Sequence, residues 1–328
     1  MTVKFAAMLS GFSLHLCMAI VLNAGEAPPI ARVGIIIPES GRAETQSIKG
    51  LRDALRDLGY KERENVLIEM RDAKGDRAAL KAMANELVSK KTNLIFTTGT
   101  RSTRAAMAAT SDIPIVFRYP GNPQTVGLVK SNKQPGRNVT GVAGFSLEMT
   151  GKRLEILQQI VPGVRRLHIF YDLNDKFSRD NSEFAKNSAE KLGLEVVEHG
   201  TKSAEELKIS FNNLENRPGD VFFYVPDNLV EGEVDFIFRT ARQKKLPTMF
   251  DEEAWAIRGA LGAYGPSYYQ MGRQAAGMID KILKGQSPEN LPVEPARKYD
   301  LVINFRTANA IGLTIPADML RKADKVIR

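Results

Sequence analysis

Val33-Gly34-Ile35-Ile36-Ile37, halted by Pro38, is the stretch from which the fold is read. It is too short and too rich in β-branched residues for a helix, so it reads as a buried strand. Downstream, Gln46 to Leu58 places Ile48, Leu51, Ala54, Leu55 and Leu58 at helical spacing until Gly59 stops it. The alternation then repeats: strand Val66 to Met70, helix Arg77 to Ser89, strand Leu94 to Thr97, helix Ser102 to Ala109, strand Pro114 to Phe117. Repeated strand and helix order argues for a parallel sheet covered on both faces.

A second series begins after Asn138-Val139-Thr140-Gly141. It runs through helix Leu147 to Ile160, strand Leu167 to Tyr171, helix Asp180 to Leu192 and strand Leu194 to Glu198. Helix Ala204 to Leu214, strand Val221 to Val225, helix Val230 to Lys244 and strand Thr248 to Phe250 complete it. The reading is therefore α/β, two doubly wound parallel-sheet lobes in tandem, and a chain of 328 residues has the length for two such cores. No stretch rich in Pro, Gly or Ser separates them, which points to closely spaced crossings in place of a loose tether. Helix Tyr269 to Leu283, the Pro-rich stretch Pro288 to Pro295 and strand Leu301 to Asn304 are expected to complete one lobe or both.

Hydrophobic residues make up 43% of the chain and charged residues 26%, a composition that can bury a sizeable core. The net charge of +8 is dispersed: its densest runs are Arg165-Arg166, Lys244-Lys245 and the end group Arg321, Lys322, Lys325, Arg328. A nucleic-acid surface needs a concentrated basic stripe with aromatics interleaved, so no nucleic-acid partner is expected and the charge reads as mild attraction for anions or acidic surfaces.

Lys4, the mainly apolar run Phe5 to Leu22 and Asn23-Ala24-Gly25-Glu26-Ala27 have the order of a secretory signal. Residues 1–27 are read as that signal, cut after Ala24 or Ala27. Leu22, third before the first of these cuts, fits poorly, which keeps a retained anchor as the alternative. The expected location is periplasmic or extracytoplasmic. No later segment approaches the ~20 apolar residues of a membrane span. Cys17, the single cysteine, lies inside the signal and follows Leu16, where a lipoprotein would need a small residue. The mature chain would then have no disulfide, thiolate zinc site or thiol chemistry.

An open parallel sheet takes ligands at the carboxyl ends of its strands, so the residues just after each strand are the candidates. In the first series these are Ser40, within Pro38-Glu39-Ser40-Gly41, then Thr98, Gly99 and Thr100 at the opening of a helix, and Tyr119 beside Arg118. Thr98 to Thr100 either receive a carboxylate on backbone N–H groups and the Thr100 hydroxyl or simply cap the helix. In the second series they are Phe177 with Ser178, Asp227 with Asn228, and Asp251 followed by Glu252 and Glu253. Asp227 and Asp251 either receive a ligand ammonium or hydroxyl or cap the helices that follow. Trp255 and Tyr264 are candidates for a stacking surface or for the core, and Arg101 and Arg118 for neutralising an anion or for the surface.

The usual catalytic sets are missing. His15 falls in the signal, and His168 and His199 form neither HxxxH nor HxH; His168 reads as a core histidine. There is no GxSxG elbow, no GxxxxGK[ST] loop and no GxGxxG at the first junction. No enzyme, cofactor or metal is expected. A hydrolase built on paired carboxylates is the weaker alternative.

The sequence also resembles a family. Leu58-Gly59-Tyr60, Asn65-Val66, Asp112 to Phe117, Gly127-Leu128-Val129 and Asn138 to Val142 match its anchors in order. So do Leu192 to Val196, Tyr224-Val225-Pro226, Arg258 to Leu261, Tyr264-Gly265, Tyr268-Tyr269, Gly272-Arg273-Gln274 and Gly312 to Pro316. The stretch from about Arg32 to Pro316 is similar to solute-binding proteins of bacterial ABC transporters, of the type that includes tryptophan and tyrosine binders, within the type I periplasmic-binding-protein fold. The resemblance implies two lobes joined by three crossings, residues 30–144 with 266–297 and residues 145–265 with 298–328. It implies a small solute, an amino acid or small organic carboxylate, held in the cleft by hinge closure and presented to an ABC permease and its ATPase. An extracytoplasmic sensor signalling to a partner is the alternative use of the same fold. Thr100-Arg101 after Gly99, Asn122 before Pro123 and a shorter loop at Asp227-Asn228 depart from the family pattern, so amino-acid recognition does not transfer unchanged.

Overall fold

The computed structural model describes residues 30–328; the expected signal and Cys17 lie outside the described residues. The first βα series consists of β1 (Ala31–Ile37), α1 (Arg42–Asp57), β2 (Val66–Asp72), α2 (Arg77–Ser89), β3 (Leu94–Thr98), α3 (Gly99–Ala109), β4 (Ile115–Tyr119) and β5 (Val139–Ala143). The second consists of α4 (Thr150–Ile160), β6 (Arg166–Asp172), α5 (Lys176–Glu190), β7 (Glu195–Thr201), α6 (Ala204–Asn213), β8 (Asp220–Phe223), α7 (Asn228–Gly232), α8 (Val234–Gln243), β9 (Thr248–Phe250), α9 (Glu253–Arg258) and β10 (Gly262–Pro266). The chain ends with α10 (Tyr268–Leu283), β11 (Glu294–Pro295), β12 (Tyr299–Asn304), α11 (Phe305–Ile311), α12 (Ala317–Lys322) and β13 (Lys325–Ile327).

The strands form two sheets. One has the order β11-β5-β4-β3-β1-β2 and is parallel throughout. The other, β13-β12-β10-β9-β8-β6-β7, is parallel except where β10 meets β12. The chain passes between the sheets after Ala143, after Pro266 and after Pro295.

β1 shows why its sequence makes a central strand. Val33, Ile35 and Ile37 point into the core under α1 and α10, while Ile36 points to the opposite core under α2 and α3. Gly34 belongs to that second face, where a Cβ would stand 2.6 Å from Leu87 of α2. Each isoleucine so buried contributes about 1.5–3 kcal/mol. The second sheet repeats the scheme: Leu167, Ile169, Val221 and Phe223 face one core, Phe170, Phe222 and Tyr224 the other.

The span Val230 to Lys244, expected as one helix, is broken at Glu233 into α7 and α8. α5 starts at Lys176, four residues before its expected start, because the Asp175 side chain caps it by accepting from Phe177 N. β5, β10, β11, α9, α11, α12 and β13 are not separately expected from the sequence. They are short, two to seven residues each, and α9 and α12 hold a single buried residue, so their periodicity carries little signal.

His168 is buried in β6, as its setting suggested. Its ring is not isolated: Nδ1 lies 2.9 Å from His199 Nε2 and Nε2 lies 3.2 Å from Asp220. Arg166 neutralises Asp220 from a second side. Among the described residues no helix is long and apolar enough to cross a membrane.

Candidate functional site

In each sheet the chain winds outward in opposite directions from one point, between β1 and β3 in the first and between β6 and β8 in the second. Such switch points leave a crevice at the strands' carboxyl ends. Here the two crevices open into a common cleft of about 800 Å³, walled by residues of both sheets.

On the wall of the first sheet, Ser40 follows β1 and donates to Asp72 Oδ2 at 2.6 Å, which fixes the loop against the end of β2. α3 then opens at Gly99, whose φ of +75° turns the chain sharply out of β3. No side chain caps this helix, so its first N–H groups and partial positive charge face the cleft beside Thr100. Thr98 lies beneath, fully buried, with its hydroxyl unpartnered. Tyr119 ends β4 against Thr100, and burial raises its phenol.

Arg118, only 3% exposed, pairs with Glu44 at 2.8 Å and lies 4.4 Å over the ring of Tyr268. Its charge is thus neutralised within the wall.

The wall of the second sheet is acidic. Asp251 follows β9 directly, is 5% exposed, and leaves Oδ1 without a hydrogen-bond partner. Burial raises its carboxyl despite the opposing field of the buried Arg153. Glu252 shows part of its surface to the cleft and accepts from the Tyr268 hydroxyl. Desolvation first, then the neighbouring Asp251, push its carboxyl up to about 8. Glu231, raised chiefly by burial, accepts from Tyr224 Oη at 2.6 Å. Three carboxyl groups on one wall repel one another in their ionised forms, and a cation among them would relieve that repulsion.

Seven of the residues expected at the site stand on the cleft wall: Ser40, Gly99, Thr100, Tyr119, Phe177, Asn228 and Asp251. Arg101, Arg118 and Trp255 join them. Thr98, Ser178 and Asp227 do not line it. Asp227 spends both carboxylate oxygens on backbone, one on Val230 N and one on Asp172 N, each at 2.8 Å, and therefore caps α7. Ser178 is buried under Asp175. Tyr264 stacks on Tyr299 with ring centroids 5.9 Å apart.

The sequence reading missed Glu44, Tyr224, Glu231 and Tyr268. Glu252 was legible with Asp251 as an acid at a strand end, and it too stands on the cleft wall. Glu44 and Tyr268 are lodged in helices and reach the wall only through long-range packing against Arg118. Among the described residues no cluster of His, Cys, Asp and Glu is placed to hold a metal ion.

Two doubly wound sheets with their switch points facing across a polar cleft define an α/β solute-binding architecture. The chain belongs to the family of ABC transporter substrate binding proteins, whose family model matches residues 32–327. Among its relatives, a tyrosine-binding protein of Clostridioides difficile is 30% identical over 266 residues, covering 81% of this chain and 76% of that protein. The ligand-free, open structure of a substrate binding protein with adhesive properties from Clostridium difficile superposes with a TM-score of 0.78 at 28% identity, covering 91% of this chain and 99% of the other. A Streptococcus pneumonia ABC domain in complex with L-Trp gives 0.77 at 26% identity, with 91% and 100% covered. The type I periplasmic-binding fold read from the sequence is the fold observed.

Proposed function

We propose that this protein is the extracytoplasmic solute-binding component of an ABC importer, that it captures an amino acid or a small organic carboxylate, and that its two lobes close over it. The observation that carries this reading is the pairing of opposite wall chemistries in one cleft. The uncapped N-terminus of α3 suits a carboxylate, and the Asp251, Glu252 and Glu231 wall suits an ammonium. Thr100 and Tyr119 sit beside the first pole, and Asn228, Phe177 and Trp255 supply amide and apolar surface.

Closure would turn residues 30–144 with 266–297 against residues 145–265 with 298–328 about the three crossings, and a ligand touching both walls favours the closed state. The closed form would then dock on a membrane permease with its ATPase. Neither a cofactor nor a metal enters this mechanism.

Native mass spectrometry of freshly purified protein, followed by thermal shift against amino acids and small organic acids, tests the reading. A bound zwitterion or carboxylate, and a raised melting temperature with it, are expected; at about a hundredfold excess over Kd the stabilisation is ~2.7 kcal/mol. No bound mass and no shift across the library would overturn it.

A further inference from the structure

A second cavity of about 890 Å³ adjoins the cleft and shares Arg101, Asn228, Glu231 and Trp255 with it. Arg77 and Lys81 stand one turn apart on α2, and Arg101 and Arg104 nearly one turn apart on α3, so each pair shares a helix face. α7 and α9 of the second series close the other side with Asn228, Gly232 and Trp255.

The charge of this annex is unlike that of the surrounding surface. Elsewhere on the first sheet's helices, cations sit on acids: Lys49 and Arg56 on Asp53, and Arg273 on Asp57. Arg77, Lys81, Arg101 and Arg104 make no ion pair among the described residues, and Arg104 only donates to Val126 O at 2.7 Å. The one carboxyl lining the cavity, Glu231, is already engaged by the Tyr224 hydroxyl. Four like charges around one concavity repel one another and focus a positive potential into it, which an anion would relieve.

We infer that the annex receives an anionic arm of the solute. The ligand carries, beyond the groups held between α3 and the Asp251 wall, a further carboxylate or phosphate bound by Arg77, Lys81, Arg101 and Arg104. This rests on the solute-binding reading above and narrows its ligand class.

Titration calorimetry with L-phenylalanine, 4-carboxy-L-phenylalanine and O-phospho-L-tyrosine as probes tests it. At least one anionic probe is expected to bind about tenfold more tightly than phenylalanine, as charge-assisted hydrogen bonds provide. The R77A/K81A variant, whose changes lie on an exposed helix face outside the cleft wall, should abolish most of that gain and leave phenylalanine within about twofold. Added salt should shrink the gain in the unaltered protein. The inference is overturned if neither anionic probe binds more tightly than phenylalanine, or if R77A/K81A leaves the gain intact. The solute-binding reading survives either result as long as some library compound binds, and falls only with that library.

Discussion

Under the proposed function, Glu252 would couple solute capture to protons: with its carboxyl pushed up to about 8 it carries a proton at neutral pH, and an ammonium arriving at this wall would drive that proton off. Affinity for an ammonium-bearing solute should therefore rise as pH climbs through 8, and calorimetry at pH 7 in buffers of differing ionisation heat should detect proton release. The Glu252→Gln variant should lose both effects; equal release from the variant would refute the assignment. His199 titrates in the opposite setting. Half-buried, with desolvation against Phe170 first and the neighbouring His168 second, it is held down to about 4, below the ordinary value near 6.5. The unfolded chain takes the proton first, so this contribution is whole above about pH 6.5 and is lost as pH falls toward 4. The melting temperature should drop across that interval, and less steeply in His199→Gln; parallel slopes would show that another group is responsible. At this scale the sequence was legible where a side chain follows a strand end, as with Asp251 and Thr100. It was silent where a role depends on what is already satisfied: nothing local shows that Asp227 has no oxygen left for a ligand, or that Glu44 answers Arg118 from 74 residues away.

α1 and α10 cross with glycines at their contact. A Cβ on Gly50 would stand 2.0 Å from Tyr269 O, and one on Gly272 would stand 2.0 Å from Ser47 O. Both obstacles are backbone, so Gly50→Ala or Gly272→Ala must part the helices, at a cost of about 1–3 kcal/mol read from denaturant midpoints. Gly277, on the same helix with open space around it, provides the control: alanine there should stabilise by ~0.5–1 kcal/mol. A loss at Gly277 as large as that at Gly272 would mean helix geometry, not the crossing, is at issue. The helical spacing on each element was readable, since Leu51, Ala54 and Leu55 mark one buried face and Met271, Ala275 and Ile279 the other. That the two faces meet was not, because the partners stand more than two hundred residues apart. β1 was readable for the converse reason: its β-branched run matches a strand packed on both sides, whatever its neighbours are.

The crossings between the two lobes pack closely on one another. Gly144, on the first crossing, would with a Cβ stand 2.4 Å from Pro120 O and 2.8 Å from Pro266 Cγ of the second, and its carbonyl accepts from Tyr299 Oη of the third at 2.7 Å. Arg42 of α1 pairs with Glu253 of α9 at 3.0 Å. Solution scattering should show the radius of gyration falling when solute is added, and Gly144→Val should blunt that contraction; an unchanged radius with bound solute would rule out closure. The three crossings also impose an order on the birth of the molecule. The core beneath β1 needs Met271, Ala275 and Ile279 of α10, so the lobe that begins the chain cannot be sealed until most of the chain exists. A polypeptide emerging from its N-terminus must leave Val33, Ile35 and Leu51 unshielded through more than two hundred further residues. The topology thus leaves the first core open until α10 has been made, and its apolar surface must be sheltered in the meantime.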